Sequence, residues 1–311
     1  MATRDVVLLF AGQGAQKVGM GQDLAEANAS VRDLFDHANA TLGFSLTDAM
    51  FNGPIEELTR TSRCQPALFV HGLACLEVLK SHVPDLNPVA AAGLSLGEFT
   101  AHAAAGTFDF KTGLGLVAKR GSFMEEATDA TEGSMAAMIG GDEEAVRQLA
   151  KDCDVDVANF NAPGQIVVSG AKAGITAAIA GAREKGIKIA KELNVAGAYH
   201  SRLMLGAQEK LGAELIAADV RKPAIPVICN VEAREVSGAD EIRSTLTAQV
   251  ASSVRWTESM QLLLGRGHTT FVELGPGGQL AGMLKRIDRS AKVLKAEDAD
   301  SIAAAAAELN S

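Results

Sequence analysis

The sequence is poor in aromatic side chains and in positive charge. Phe, Trp and Tyr together make up 4% of its 311 residues, with one Trp and one Tyr, and the formal net charge at pH 7 is −9. Surfaces that bind nucleic acid need basic patches, and those that bind single strands add aromatic side chains on which bases stack. The composition therefore argues against nucleic acid, and against an anionic membrane, as a main partner.

Cysteine and histidine patterns typical of metal sites are also missing. No two of the four cysteines have C-x-x-C spacing, and no two of the six histidines have H-x-H or H-x-x-x-H spacing. We therefore expect no metal ion, and we expect reduced thiols in a cytoplasmic protein. The apolar run at residues 6–10 is too short for a membrane span or a signal core, so no membrane segment is expected.

Two glycine motifs near the N-terminus fail as nucleotide sites. Residues 12–17, GQGAQK, begin like a dinucleotide-binding fingerprint, but Lys17 stands where the third glycine is needed. Residues 14–19 have the outer spacing of a phosphate-binding loop, but Met20 stands where its lysine is needed. Sites for NAD and ATP are excluded at this loop.

Apolar residues make up 47% of the chain, enough for a large core. Short apolar runs at residues 6–10, 89–93, 227–230 and 270–274 predict buried strands, and glycine turns lead from several of them into helical patterns. This order predicts an α/β fold with a parallel sheet, similar to that of α/β-hydrolases, and with ligand sites at the carboxyl ends of the strands.

The middle of the chain has a different order of predicted strands and helices. Strand patterns at residues 134–140, 155–160, 165–169 and 187–193 alternate with helical patterns at 142–151 and 172–185 in the order βαββαβ. This order is typical of a ferredoxin-like α+β unit. We therefore predict a small inserted domain at residues 130–195, and a large catalytic domain formed by residues 1–129 and 196–311.

Residues 93–97, GLSLG, match the G-x-S-x-G pattern of a nucleophilic serine on a strand-to-helix turn. Such a turn exposes the hydroxyl of Ser95, and the start of the following helix favours developing negative charge. The alternative is an ordinary serine in a glycine-rich loop. The predicted strand before the motif and helix after it favour the nucleophile.

A nucleophilic serine needs a base. His200 follows the inserted unit, whereas His268 precedes the last predicted strand, where a lipase-like hydrolase would place its histidine. Position alone does not separate these two, and His102 lies too far along the helix after Ser95. Arg120 is either a solvated helical charge or a two-pronged donor for a substrate carboxylate.

Eight distinctive segments are spread along nearly the whole chain. In chain order they are FAGQGAQ at residues 10–16, QPAL at 65–68, GLSLGE at 93–98, RGSFM at 120–124, NFNAPGQ at 159–165, His200, VRW at 254–256 and ELGPG at 273–277. Together these segments resemble those of the malonyl-CoA:acyl-carrier-protein transacylases. Eight ordered matches are strong support for membership of this family.

The resemblance implies a role for each matched residue. Ser95 would attack the malonyl thioester, and His200 would accept its proton, oriented by a backbone carbonyl near Gln249 instead of a carboxylate. Backbone N–H groups of Gln13 and Leu96 would form the oxyanion hole. The malonyl carboxylate would pair with Arg120, and we expect Gln249 and Asn161 to contribute to substrate binding.

The sequence departs from the family pattern at three positions. Leu94 replaces a histidine that often precedes the nucleophile, and Ala11 replaces a proline that would stiffen the first loop. Tyr199 precedes His200, where related polyketide acyltransferases vary with the acyl group; a bulky aromatic there favours malonyl over methylmalonyl. The alternative is a tyrosine that only packs in a turn.

The resemblance also implies the partners: a coenzyme A thioester and an acidic acyl carrier protein, with no cofactor, in a protein expected to be monomeric. Two basic patches could dock the carrier or be solvated faces: Arg183, Lys185, Lys188 and Lys191; and Lys285, Arg286 and Arg289. Rival functions are transfer of another acyl group or to a polyketide carrier, a serine esterase using His268 with Asp240 or Glu273, and an idle docking subunit.

Overall fold

A computed structural model describes residues 4–311. Its first sheet has six strands in the order β10-β9-β1-β2-β7-β8, and all neighbours run parallel except β7 and β8. The strands are β1 Arg4–Phe10, β2 Leu86–Gly93, β7 Val227–Ile228, β8 Glu235–Val236, β9 Thr270–Leu274 and β10 Lys292–Ala296. The predicted parallel α/β sheet is confirmed.

The central strand β1 is buried on both faces, with Val6 and Leu8 in one apolar cluster and Val7 and Leu9 in another, as expected for a parallel sheet covered by helices. The helices before the second sheet are α1 Gln22–Ala27, α2 Ala29–Leu42, α3 Leu46–Asn52, α4 Ile55–Thr59, α5 Thr61–His82, α6 Leu96–Ala104 and α7 Phe110–Asp129. Those after it are the 3₁₀ turn Arg202–Met204 and helices α10 Leu205–Ala217, α11 Ala239–Gln249, α12 Trp256–Gly265, α13 Gln279–Ile287 and α14 Ala299–Asn310.

The second sheet is antiparallel, with the order β4-β5-β3-β6. Its elements are β3 Gly133–Ile139, α8 Glu143–Asp152, β4 Asp156–Ala162, β5 Gln165–Ala171, α9 Lys172–Gly181 and β6 Ile189–Glu192. The βαββαβ order and this pairing are those of a ferredoxin-like unit, as predicted. Its own apolar cluster includes Met138, Leu149 and Val168. We propose that residues 130–195 form a separate domain on this basis.

Several predicted boundaries were wrong. The helical pattern of residues 22–40 predicts a single helix, but the structure has two, because the extended backbone of Asn28 (φ −126°) ends α1 and begins α2. The helix predicted over 172–185 ends at Gly181, and the last strand of the small sheet is only four residues long. Strand β10, with its alternating lysines and apolar residues, was not predicted.

Three of the four cysteines are buried free thiols, and Cys153 is half-buried. Desolvation raises the pKa of Cys64 to about 12. No helix within residues 4–311 is both long enough and apolar enough to cross a membrane. Within the same range, no three His, Cys, Asp or Glu side chains are grouped so that they could hold a metal ion.

Candidate active site

Ser95 lies on a tight turn between β2 and α6, with φ 54° and ψ −107°. A non-glycine residue with positive φ is unusual and marks a strained backbone. The flanking glycines permit the turn: a Cβ on Gly93 would lie 1.9 Å from the carbonyl carbon of Gly97, and a Cβ on Gly97 would lie 2.1 Å from the oxygen of Phe10. The G-x-S-x-G spacing is therefore required by the close approach of backbone to backbone.

Asn230, which follows the neighbouring strand β7, stabilises this turn through two hydrogen bonds. Its Oδ1 accepts a 2.7 Å hydrogen bond from the backbone N–H of Ser95, and its Nδ2 donates a 2.8 Å bond to the carbonyl of Gly93. Sequence reasoning missed this residue. The available signal was a polar side chain at the carboxyl end of a buried strand, where sites in α/β sheets collect.

His200 is the histidine in contact with the serine. Its Nε2 lies 2.7 Å from Ser95 Oγ, and its Nδ1 lies 2.9 Å from the carbonyl oxygen of Gln249 and 3.2 Å from that of Ser252. Two carbonyl acceptors require the proton on Nδ1, so Nε2 is free to accept the hydroxyl proton of Ser95. Burial, and then the charge of Arg120, lower the pKa of His200 to about 4, so the ring is neutral at pH 7.

Arg120, on α7, is fully buried, which excludes its interpretation as a solvated helical charge. Its Nη2 donates hydrogen bonds of 2.9 Å to Ser95 Oγ and to Oε1 of Gln249, and its Nη1 donates a 2.7 Å bond to Oε1 of Gln65. Burial lowers its pKa to about 10, so the guanidinium stays charged at pH 7. A fixed cation therefore lies beside the serine hydroxyl.

Glu98, also fully buried, lies behind this group. Its Oε2 accepts a 2.7 Å bond from Nε2 of Gln249 and a 3.0 Å bond from the backbone N–H of Asn230. Nε2 of Gln249 also donates a 2.8 Å bond to the carbonyl of Ser95. Burial raises the pKa of Glu98 to about 7. Sequence reasoning counted Glu98 in a motif and gave it no function.

The serine opens into a cleft of about 220 Å³ between the carboxyl ends of the parallel strands and one face of the antiparallel sheet. Gln13, Asn161 and Tyr199 also line this cleft. Asn161 is 7% exposed, and its Oδ1 has no hydrogen-bond partner within residues 4–311. The Tyr199 hydroxyl lies 2.7 Å from Thr61 Oγ1, so this residue both packs in its turn and faces the cleft.

The first loop and the start of α6 carry the predicted oxyanion donors. Gln13 follows β1, and its side chain reaches Thr61 Oγ1 at 3.3 Å. Leu96 is the first residue of α6, so the helix offers its N–H no internal acceptor. Ala11 donates a 3.4 Å bond to the carbonyl of Leu274, which a proline at this position could not do.

The residues of the esterase hypothesis are not brought together. His268 precedes β9, at the amino end of the parallel strands, whereas Ser95 follows the carboxyl end of β2. The side chain of Asp240 is fully exposed and pairs with Arg243. Glu273 instead accepts hydrogen bonds from the backbone N–H groups of Leu280 and Ala281 at the start of α13.

Comparison with known proteins agrees with a site built for acyl transfer. Residues 7–306 match the family described as acyl transferase domain. The chain belongs to this acyl transferase family.

Three similar proteins are all named as malonyl transacylases. The chain is 42% identical over 302 residues to a malonyl CoA-acyl carrier protein transacylase of Bacillus subtilis, covering 96% of this chain and 95% of the relative. It superposes with a TM-score of 0.95 on the corresponding transacylase of Coxiella burnetii, at 32% identity and 99% coverage of both chains. It also matches, at TM-score 0.94 and 35% identity over 98% of this chain and 99% of the other, a malonyl-transacylase in complex with a type II polyketide acyl-carrier protein.

Proposed function

We propose that this chain transfers a malonyl group from malonyl-CoA to the phosphopantetheine thiol of an acyl carrier protein in fatty-acid biosynthesis, through a malonyl ester on Ser95. The observation that carries the proposal is the position of Ser95 Oγ, 2.7 Å from a neutral imidazole and 2.9 Å from a buried guanidinium. A base and a cation on one hydroxyl suit an acyl group that ends in a carboxylate.

In the first half-reaction, the Ser95 hydroxyl passes its proton to Nε2 of His200 while Oγ attacks the thioester carbonyl carbon. The negative charge that develops on the carbonyl oxygen is stabilised by the backbone N–H groups of Leu96 and Gln13. One such donor contributes about 2.7–4 kcal/mol in the transition state. The C–S bond then breaks, and His200 returns the proton to the sulfur of coenzyme A.

The carboxylate of the malonyl group pairs with Arg120. Gln65 and Gln249 support this pairing because each accepts a hydrogen bond from the guanidinium and so fixes its plane. Asn161 contributes its unpartnered side-chain oxygen to the wall of the same cleft. A charge-assisted bond to a carboxylate is worth about 1.5–3 kcal/mol, and a neutral acyl group leaves the buried cation unpaired.

In the second half-reaction, coenzyme A has left, and the thiol of the carrier protein takes its place. His200 accepts the thiol proton, the sulfur attacks the ester carbon, and the bond to Ser95 Oγ breaks as the proton returns to the serine. Each step moves only protons and an acyl group, so we propose that no metal or redox cofactor takes part. A monomeric state and a cytoplasmic location stay predictions.

The experiment that tests this proposal is intact-mass measurement after mixing with malonyl-, methylmalonyl- and acetyl-CoA in competition. We expect one malonyl adduct on the wild-type chain and on the surface control Ser290→Ala, and none on Ser95→Ala. No adduct on the wild type would contradict the proposal and favour an idle docking subunit. Preferred addition of another acyl group would contradict the malonyl specificity.

Two histidine variants separate the transferase from the esterase hypothesis. We expect His200→Ala to lose acylation and His268→Ala to keep it, because only His200 contacts the serine. The opposite pattern would favour the esterase.

A further inference from the structure

The side chain of Glu98 neither lines the cleft nor forms a hydrogen bond with Ser95, yet two residues of the site donate to one of its oxygens. Oε2 accepts hydrogen bonds from Asn230 and from Gln249, two residues that lie on different elements and more than 130 positions from Glu98 in sequence. Its other oxygen, Oε1, is buried and has no hydrogen-bond partner within residues 4–311. The carboxyl group is therefore used on one side only.

Through Asn230, this oxygen supports the turn that carries the nucleophile. Asn230 is bonded to both sides of the turn, at the N–H of Ser95 and at the carbonyl of Gly93. The backbone N–H of Asn230 has Glu98 as its acceptor. Loss of that acceptor would leave a buried donor unpaired and would free the residue that holds the turn at a strained φ.

Through Gln249, the same oxygen supports the cation and the base. The side-chain oxygen of Gln249 accepts from Arg120, and its backbone carbonyl lies 2.9 Å from Nδ1 of His200. The bonds from Nε2 of Gln249 to Oε2 of Glu98 and to the carbonyl of Ser95 together fix the orientation of this amide. A reversed amide would point its N–H₂ group at the guanidinium, two donors facing each other.

Resting on the proposed function, we infer that Glu98 is the positioning residue of this site: a shared hydrogen-bond acceptor that holds the Ser95 turn through Asn230 and the Arg120 guanidinium through Gln249. Acceptance requires only the unprotonated oxygen, so a neutral carboxyl group with its proton on Oε1 serves as well as a carboxylate. Burial raises the pKa of Glu98 to about 7, a value at which both the neutral carboxyl group and the carboxylate occur near neutral pH.

The test compares E98Q with E98A. In E98Q, the amide oxygen replaces Oε2 and the amide nitrogen replaces the unpartnered Oε1, so we expect malonyl acylation of Ser95 within about tenfold of the wild type. In E98A both acceptor bonds are lost. Displacement of reacting groups by about 1 Å costs on the order of 100-fold, so we expect at least that loss in the acylation rate.

Two further variants separate the two branches. Asn230→Ala disturbs the turn and should lower the acylation rate with malonyl- and acetyl-CoA alike. Gln249→Leu disturbs the guanidinium and should raise the KM for malonyl-CoA more than that for acetyl-CoA. E98A should combine both effects. A residue that only stabilises the fold would lower Tm without changing the ratio of malonyl to acetyl transfer.

Glu273→Ala is the matched control, because Glu273 is also buried and also accepts two hydrogen bonds, in its case from two backbone N–H groups at the start of α13. It should lower Tm while keeping the acylation rate. Wild-type rates in folded E98A, or an E98Q as slow as E98A, would overturn the inference. If E98A does not fold, the two branch variants decide. The inference would be overturned if Gln249→Leu, like Asn230→Ala, affected malonyl-CoA and acetyl-CoA equally.

Crystal structures of E98Q and E98A give a readout that does not depend on the reaction. A Ser95 turn and an Arg120 guanidinium that are displaced in E98A and unmoved in E98Q support the inference, and both unmoved in E98A overturn it. Absence of any adduct on the wild type would instead contradict the proposed malonyl transfer. The structural comparison does not depend on that activity, so the two failures can be distinguished.

Discussion

Ser95 Oγ lies between an imidazole that accepts its proton and a guanidinium that donates to it. In the free protein the cation thus holds the hydroxyl oriented toward His200. In the proposed reaction, guanidinium N–H groups of the same residue donate to the malonyl carboxylate. In this proposal a single residue, Arg120, links the alignment of the nucleophile to the choice of substrate.

Replacing Arg120 by Ala should lower kcat/KM for malonyl-CoA by about 10- to 100-fold, the equivalent of a charge-assisted bond. Acetyl-CoA should lose less, because it has no carboxylate to pair, so the malonyl-to-acetyl ratio falls. Stopped-flow acylation with both thioesters measures this ratio. Arg120→Lys keeps the charge without the planar fork and should recover only part of the preference. An unchanged ratio in Arg120→Ala would contradict the carboxylate pairing.

The pH dependence should report the lowered pKa of His200. The base must be neutral to accept a proton, and burial with the nearby Arg120 charge lowers its pKa to about 4. As the pH falls, kcat/KM should therefore hold through pH 6 and decline only near pH 4, since this parameter reports the free enzyme.

Acetyl-CoA serves as the substrate for this profile, because it has no carboxylate that titrates. Circular dichroism at each pH checks that the chain stays folded. A half-maximal rate near pH 6.5, the ordinary value for histidine, would show that the ring is not desolvated as described.

At the scale of elements, the active site depends on how closely α6 approaches the strands. Gly93 ends β2 and Gly97 lies in the first turn of α6, and both meet backbone atoms where any side chain would begin. Backbone cannot rotate aside as a side chain can. Because neither glycine has a Cβ atom, the start of α6 can pack directly against β1 and β2. This contact sets the position of the Leu96 N–H.

Gly97→Ala should move the start of α6 away from β1, because its Cβ would lie 2.1 Å from the oxygen of Phe10. We expect a loss of about 1–3 kcal/mol in the free energy of unfolding, as for other overpacked sites, and a loss of acylation on the order of 100-fold. Urea unfolding and intact-mass acylation measure the two effects.

Gly115→Ala on α7 is the matched control, since its Cβ would meet nothing within 4 Å. Helix propensity predicts that this change stabilises the chain by up to about 1 kcal/mol. A Gly97→Ala variant that resembled Gly115→Ala in both measurements would contradict the close-approach argument.

At the scale of the whole molecule, the cleft lies between two sheets of different construction. The parallel sheet supplies the nucleophile and the antiparallel sheet supplies the facing wall, with Asn161 at the end of β4. The basic patch formed by Arg183, Lys185, Lys188 and Lys191 lies on the antiparallel side, where β6 is an edge strand and Ile189 is 55% exposed. Its interpretation as a carrier-docking face stays a prediction.

Charge reversal at Lys188 and Lys191 should raise the KM for the carrier protein several-fold at low salt and leave the KM for malonyl-CoA unchanged. The physical reason is loss of attraction between this face and an acidic carrier, which salt screens. Steady-state transfer measured at two ionic strengths checks both parameters.

The double variant Lys80→Glu with Lys292→Glu is the matched control. It changes the net charge by the same amount; Lys80 lies near the end of α5, shortly before β2 begins, and Lys292 is the first residue of β10, whereas Ser95 follows the carboxyl end of β2. Equal effects of the two double variants, or no change in carrier KM, would count against this patch and favour Lys285, Arg286 and Arg289.

The sequence by itself determined the local features of this protein. The strand-turn-helix around Ser95, the βαββαβ order of the middle segment and the matched motifs all depend on residues close together in the chain, because glycine spacing and apolar periodicity act over short distances. The local patterns were enough to predict the fold class, whereas the resemblance to the transacylases brought Ser95, His200 and Arg120 into one hypothesis.

Only the tertiary structure decided what surrounds those residues. Glu98 follows Ser95 by three residues and Gln249 was expected near His200, but no local pattern indicates that these two side chains meet Asn230 behind the nucleophile. Burial of Arg120 likewise could not be derived from its helix, where its charge indicated exposure. Hydrogen bonds among buried polar groups form between elements that packing brings together, so their partners are fixed by the folded sheet order and not by local pattern.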